Sequence, residues 1–249
     1  MIHTAKSKVM YHDCDVRGCL KISAAMRYMQ QVSGEHLEVL GFPAEKLLHE
    51  EMVFMLSRVC IKIHRMPAAA ELMTLATAPT AVQGVRFVRE FSIDSERGEK
   101  LASAVTWWVL INPESRKILR PASFPYELRL QPSFAGYFIE DISMPKPAAA
   151  QPHQSGSVDI RYAHLDINNH VSNSMYADFI CDILPYEQFL ERGIDVFSVN
   201  FQNEARWGQT LMIERHNIDA AGSDHYIRGK TQENTTCFES FVRLRPIRA

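Results

Sequence analysis

The feature that most constrains this chain is an internal repetition. Tyr11-x-x-x-Asp15-Val16 returns as Tyr162-x-x-x-Asp166-Ile167, a period of roughly 150 residues. That is too long for a solenoid unit and about right for a small domain. Each copy follows a short strand-like stretch, residues 8–11 and 158–162, and leads into a helix-compatible run. In the first copy Ser23 is placed to cap a helix over residues 24–40, with Ala25, Met29, Val32, Leu37 and Leu40 suited to one buried face. Gly41 supplies its stop. Gly34 interrupts this helix at a cost of about 1 kcal/mol relative to Ala, and close packing against a sheet would explain it. In the second copy Ser172 is placed to cap a helix over residues 173–184. The stretch Phe189-Leu-Glu-Arg-Gly193-Ile loosely echoes Leu37-Glu-Val-Leu-Gly41-Phe.

Four strand signals follow in each half: residues 52–63, 72–77, 85–93 and 101–111, then 197–203, 211–218, 225–232 and 238–244. A helix with several strands joined by short connections predicts an α+β unit on an antiparallel sheet. Between the halves, residues 121–152 carry six of the twelve prolines. The expected organisation is therefore an N-terminal domain over residues 1–130, a linker over 131–157 and a C-terminal domain over 158–249.

With 46% apolar and 22% charged residues the chain has the makings of an ordinary globular core. A net charge of −2 gives no sign of a nucleic-acid partner. No apolar run approaches the length of a membrane span. The first residues lack an apolar core for a signal peptide, and strand-like sequence begins too early for a transit peptide. Cys14, Cys19, Cys60, Cys181 and Cys237 are odd in number and scattered, so a reducing, cytoplasmic setting is expected. The ten histidines show no metal-ligand spacing, and no glycine-rich phosphate loop or G-x-S-x-G elbow occurs. Neither metal nor cofactor is expected.

The chemistry concentrates in residues 164–176. Asp166, Asn168 and His170 alternate, so an extended backbone would put a carboxylate, a carboxamide and an imidazole on one side. Leu165, Ile167 and Val171 would take the other side. The helix start behind Ser172 would add backbone N–H groups suited to a developing oxyanion. The competing reading is a polar turn with Asn168 and Asn169 at the bend.

This stretch, Asp166-Ile-Asn168-Asn-His170-Val171-Ser172-Asn173-Ser-Met-Tyr176, resembles the D-x-N-x-H-V-N-N-x-x-Y segment of the acyl-acyl-carrier-protein thioesterases. Ser172 stands where that family usually has Asn. The resemblance implies a tandem double hot-dog fold, each unit a long helix wrapped by an antiparallel sheet. It also implies hydrolysis of fatty acyl thioesters borne on the phosphopantetheine arm of an acidic acyl carrier protein, in fatty acid biosynthesis, by a monomer or homodimer. An acyl-coenzyme A thioesterase and a catalytically silent acyl-binding module are the competing functions.

Where the second half has Asp166, Asn168 and His170, the first has Asp15, Arg17 and Cys19. One active site per chain is expected, in the C-terminal half. The N-terminal half is left to bind the acyl chain, a role its methionines at 26, 29, 52, 55, 66 and 73 suit. The family's aromatic-x-x-Glu-Cys segment is matched by Phe201 and Glu204, but Ala205 stands in place of the cysteine. Activated water must then attack, with Glu204 or His170 as general base, Asn168 orienting water or carbonyl, and Asp166 orienting Asn168 and His170. The competing reading of Glu204 is a surface carboxylate paired with Arg206. For carrier docking, Arg243 and Arg245 on one side of a strand are one candidate, and Arg116, Lys117 and Arg120 another.

The missing cysteine generates a first prediction. A variant with all five cysteines changed to Ser or Ala should hydrolyse thioester if it folds. A folded but inactive Cys-free protein would contradict the water mechanism.

Overall fold

The computed structural model describes residues 1–134, 144, 145, 147 and 151–246. The chain divides into two compact units, Met1–Glu140 and Asp141–Ala249.

In the first unit, β1 (His3–Lys8) leads through a 3-10 turn (Tyr11–Asp13) to α1 (Ile22–Val39) and α2 (Ala44–His49). Then come β2 (Val53–Ile63), β3 (Leu72–Gln83), β4 (Arg86–Ser95) and β5 (Lys100–Ile111). The strands lie antiparallel in the order β1-β3-β4-β5-β2. Helix α1 buries Ile22, Ala25, Met26, Met29, Val32 and His36 along one stripe, the i, i+3/i+4 spacing of an amphipathic helix. Its N-cap is Lys21, and Ser23 lies inside the first turn, buried, so the expected serine cap is not made.

The other end follows the sequence closely. Gly41 has φ +87°. Phe42 N–H donates to the Leu37 carbonyl at 3.1 Å and Gly41 N–H to that of Glu38 at 2.9 Å, a Schellman motif. Phe42 then anchors an apolar cluster with Leu47, Met52, Phe87, Leu110 and Phe124. Gly34 corrects the expectation of close packing: it is exposed, and a Cβ built there meets nothing within 4 Å.

The second unit repeats the order of elements. After β6 (Gln154–Asp159) and a 3-10 turn (Tyr162–His164) come α3 (Asn173–Asp182) and α4 (Tyr186–Glu191). Then β7 (Arg192–Phe201), β8 (Thr210–Asn217), β9 (Asp224–Thr231) and β10 (Thr236–Pro246) follow. Their antiparallel order, β6-β8-β9-β10-β7, is that of the first unit element for element.

Three sequence expectations are adjusted here. The leading strands begin earlier than expected, and Tyr11 and Tyr162 fall in the 3-10 turns behind them. Helix α3 ends before residues 183–184, because Pro185 caps the next helix and disfavours α geometry in the residue before it. Gly193 is not a helix stop like Gly41 but pairs with Arg245 inside the sheet. Of the expected linker over 131–157, residues 135–143, 146 and 148–150 lie outside the described residues, and Gln154 already begins β6. Among the described residues no helix is long and apolar enough to cross a membrane.

Each unit buries an arginine of its second or third strand against a histidine, His36 of α1 in the first unit and His225 of β9 in the second. In the first, Arg89 Nη1 donates to Thr77 Oγ1 at 3.1 Å and meets Nδ1 of His36 at 3.0 Å. In the second, Arg215 Nη1 donates to Asn217 Oδ1 at 2.7 Å and meets Nδ1 of His225 at 3.3 Å. Burial first, and the neighbouring guanidinium second, push both imidazoles down to about 4. Below the ordinary histidine value near 6.5 the unfolded chain takes up protons that these imidazoles refuse until about pH 4. Stability is therefore expected to fall as pH drops through that window. The urea midpoint, followed from pH 6.5 to 4.5, should decline, and less so in a His36→Gln/His225→Gln protein. A flat midpoint in the parent protein would refute this.

Candidate active site

The segment of alternating polar residues is not extended. The chain reverses at Asp166–Asn169 and closes an antiparallel bridge between Leu165 and Val171. Asp166 Oδ1 accepts the backbone N–H of Asn168 at 2.8 Å, the Asp166 carbonyl accepts from Asn169 N–H at 3.0 Å, and Asp166 N–H donates to the His170 carbonyl at 2.8 Å. Asn169 takes φ +62°, a conformation Asn tolerates better than most residues. The reversal puts Ile167 at the tip, fully exposed rather than on a buried face. The Asp166 carboxylate holds Asn168 through its backbone N–H, and its own N–H holds His170 through the backbone carbonyl. The Asn168 side chain is exposed at the bend. Ser172 is the N-cap of α3 by position, but its hydroxyl pairs with that of Ser174 at 3.1 Å instead of capping.

His170 meets Glu204 instead, its Nε2 lying 3.1 Å from the carboxylate, with both side chains largely buried. Glu204 sits in the loop that leaves β7, and that loop is fixed to the turn. Val171 N–H donates to the Ala205 carbonyl at 2.9 Å. Ala205 N–H donates to the Tyr176 hydroxyl at 3.1 Å. Burial, before any charge effect, pushes the Tyr176 phenol well above its ordinary value, so it stays neutral. Its ring lies 5.7 Å from that of Phe201 and 5.3 Å from that of Phe238. Phe238 in turn covers Gly229 on the next strand, where an added Cβ would clash with the ring. The sequence marks Tyr176 only as the last letter of a motif. Its support of the glutamate loop comes from tertiary packing.

The first unit carries the same turn without the chemistry. Arg17 N–H donates to Asp15 Oδ1 at 2.9 Å, and Asp15 N–H to the Cys19 carbonyl at 2.7 Å. Gly18, at φ +72°, stands where Asn169 does. Leu20 N–H donates to the Pro67 carbonyl at 2.8 Å, as Val171 does to Ala205, so Met66 occupies the place of Glu204. Arg17 also ties up the Asp15 carboxylate by ion pairing at 2.7 Å. Of the other methionines singled out here, Met26, Met29, Met52 and Met73 are buried in the core.

Other expectations change at the surface. Arg243 donates twice to Asp224, both at 2.8 Å, and Arg245 to Asp195 at 2.7 Å. A register shift between Arg243 and Leu244 passes over Asp195 on β7, while burial along β10 still alternates, with Leu244 buried between the two arginines. Arg116, Lys117 and Arg120 remain exposed. Burial pushes the Cys237 thiol up to about 11 and raises those of Cys14 and Cys19, which disfavours thiolates at all three.

Two tandem units of this kind, each a helix on an antiparallel sheet, make the chain a double hot-dog protein. It belongs to the acyl-ACP thioesterase family: the model of that family's N-terminal domain matches residues 1–123 and that of its C-terminal domain residues 148–241. It is similar to the chloroplastic dodecanoyl-[acyl-carrier-protein] hydrolase of Cinnamomum camphora, 21% identical over 248 residues, 88% of this chain and 64% of that protein. With the chloroplastic oleoyl-acyl carrier protein thioesterase 2 of Arabidopsis thaliana it is 21% identical over 215 residues, 80% of this chain and 58% of that one. The chain thus spans less than two-thirds of the length of these relatives. The fold is shared with an acyl-ACP thioesterase from Bacteroides thetaiotaomicron, at TM-score 0.85 and 22% identity over 98% of each chain. It is shared equally with the 12:0-ACP thioesterase of Umbellularia californica, at TM-score 0.84 and 16% identity over 99% of this chain and 98% of that one.

Tyr176→Phe tests the support of the site. The variant leaves the buried Ala205 N–H without its acceptor, and stability should fall by about 1–3 kcal/mol. Urea denaturation measures it, and a loss within error of zero would show that the bond contributes nothing.

Proposed function

We propose that this chain hydrolyses the thioester of a fatty acyl-acyl-carrier protein and releases the free fatty acid. The observation that carries the reading is the His170–Glu204 pair at 3.1 Å, present in one unit and replaced by Cys19 and Met66 on the same backbone in the other. With its Nε2 proton donated to the carboxylate, the imidazole keeps a lone pair on Nδ1. That nitrogen removes a proton from water, and the resulting hydroxide attacks the thioester carbonyl. The Asn168 amide, exposed at the bend, donates to the carbonyl oxygen as charge builds there. Collapse of the tetrahedral adduct breaks the C–S bond, and the imidazolium returns its proton to the leaving thiolate. Glu204 orients and stabilises the imidazolium, while Asp166 acts at one remove by holding the turn. No thiol takes part, since Ala205 stands at the place of the family's cysteine.

The division of labour between units follows from the same contrast: the second performs the chemistry and the first, lacking the pair, holds the acyl chain. The five cysteines, odd in number and scattered, suit a reducing cytoplasm.

His170→Ala, Glu204→Gln and Asn168→Ala should each lower kcat on the order of 100-fold or more with the fold retained. Matched acyl-carrier-protein and acyl-coenzyme A esters distinguish the reading from its rivals. Preference for the coenzyme A ester would name the wrong thiol carrier. Turnover of neither would leave an acyl-binding module. Full activity in the His170 variant would remove the mechanism.

A further inference from the structure

The loop that carries Glu204 is duplicated in the first unit down to individual hydrogen bonds. Ala70 N–H donates to the Val9 carbonyl at 2.9 Å, as Gly208 N–H does to that of Ile160 at 3.2 Å. Val9 N–H donates to the Glu71 carbonyl at 2.9 Å, as Ile160 N–H does to that of Gln209 at 2.8 Å. Ala68 N–H donates to the Glu71 side chain, and Arg206 N–H to that of Gln209, both at 2.8 Å. Even the left-handed residue recurs, φ +66° at Ala70 and φ +79° at Gly208. On this shared backbone the first unit reads Pro-Ala-Ala-Ala-Glu over residues 67–71, and the second reads Ala-Arg-Trp-Gly-Gln over 205–209.

Alanines therefore satisfy the fold of this loop. Only in the unit with the His170–Glu204 pair do an arginine and a tryptophan replace them. Trp207 is 68% exposed. Arg206 is exposed and has no ion-pair partner among the described residues, unlike Arg161, which Asp159 holds at 3.0 Å. The exposed Tyr162 and Ile167 nearby do not share this distinction, because Tyr11 and Val16 are exposed at the matching places in the first unit. Their exposure goes with the turn. That of Arg206 and Trp207 goes with the chemistry.

We infer that Arg206 and Trp207 form the subsite for the phosphopantetheine arm of the carrier-borne substrate, an assignment that rests on the proposed thioesterase reading. The two residues lie two and three positions beyond Glu204, within about 7 and 10 Å along an extended chain. Both are exposed on the loop that carries Glu204, so an arm reaching in from solvent toward the His170–Glu204 pair passes them. An indole face suits a flat run of amides and methylenes. An unpaired guanidinium suits the phosphodiester at the arm's far end, which it can grip through two parallel hydrogen bonds.

The test compares one acyl group presented on holo carrier protein, on phosphopantetheine, on coenzyme A and on N-acetylcysteamine. Trp207→Ala and Arg206→Ala should cost kcat/KM about tenfold more on the three arm-bearing esters than on the N-acetylcysteamine ester, a difference worth about 1.4 kcal/mol. Equal losses on all four, or none, would overturn the assignment. So would a loss confined to the carrier ester, which would mean contact with the carrier's surface. Direct binding separates this inference from the reaction itself. Adding holo carrier without an acyl group should change tryptophan emission in the parent protein and not in the Trp207→Phe protein. Carrier lacking the arm should change neither. A response to armless carrier equal to that of holo carrier would refute the arm subsite even if hydrolysis is established. Absence of turnover by the parent protein, with the arm-dependent emission change intact, would refute the hydrolase reading alone.

Discussion

The site depends on one backbone hydrogen bond, from Val171 N–H to the Ala205 carbonyl at 2.9 Å. It joins two loops far apart in sequence, the turn that presents His170 and the loop that presents Glu204. Neither side chain is placed by its own secondary structure. His170 follows a left-handed residue in a tight reversal, and Glu204 lies beyond the end of β7. Fixing such residues costs conformational entropy of about 1–2 kcal/mol each, so the loops must be held from outside. Tyr176 does this from α3 by accepting the N–H of Ala205 itself, and Phe238 backs its ring from the sheet. Buried polar groups satisfied within a dry, close-packed shell are rigid, and that rigidity keeps an imidazole and a carboxylate at hydrogen-bonding distance.

Duplication makes the argument about function sharper than one site alone would allow. Both units fold the same turn, closed by an aspartate carboxylate on the N–H two residues on. The aspartate is therefore explained by architecture, and its presence in both halves is no mark of catalysis. What differs on the common backbone is chemistry: Asn168 for Arg17, His170 for Cys19 and Glu204 for Met66. In the first unit Arg17 turns back onto Asp15 and forms an ion pair. A fold that tolerates either set at the same positions does not require the second set for its stability.

The fold was largely legible in the sequence because its signals are local. Alternation along residues 85–93 and 101–111, the Gly41 stop behind α1 and the proline-rich break between halves each act over a few residues. The misplacements were local as well. Ser23 reads as a cap, yet α1 starts two residues earlier and buries it. Alternating Asp166, Asn168 and His170 looked like a strand face, but two consecutive asparagines favour a bend, and the Asp166 carboxylate reinforces it. The backbone follows the polar-turn reading.

By itself, the sequence determined the duplication, the order of helix and strands, and the short set of side chains able to do chemistry. These follow from patterns of period two and 3.6 and from residue type, which need no partner across space. The tertiary structure alone decided that His170 pairs with Glu204 rather than with Asp166, that Arg243 and Arg245 are held by Asp224 and Asp195, and that Tyr176 braces the glutamate loop. Each of those facts is a contact between segments whose separation in sequence carries no information about distance, and only the packing of helix on sheet converts one into the other.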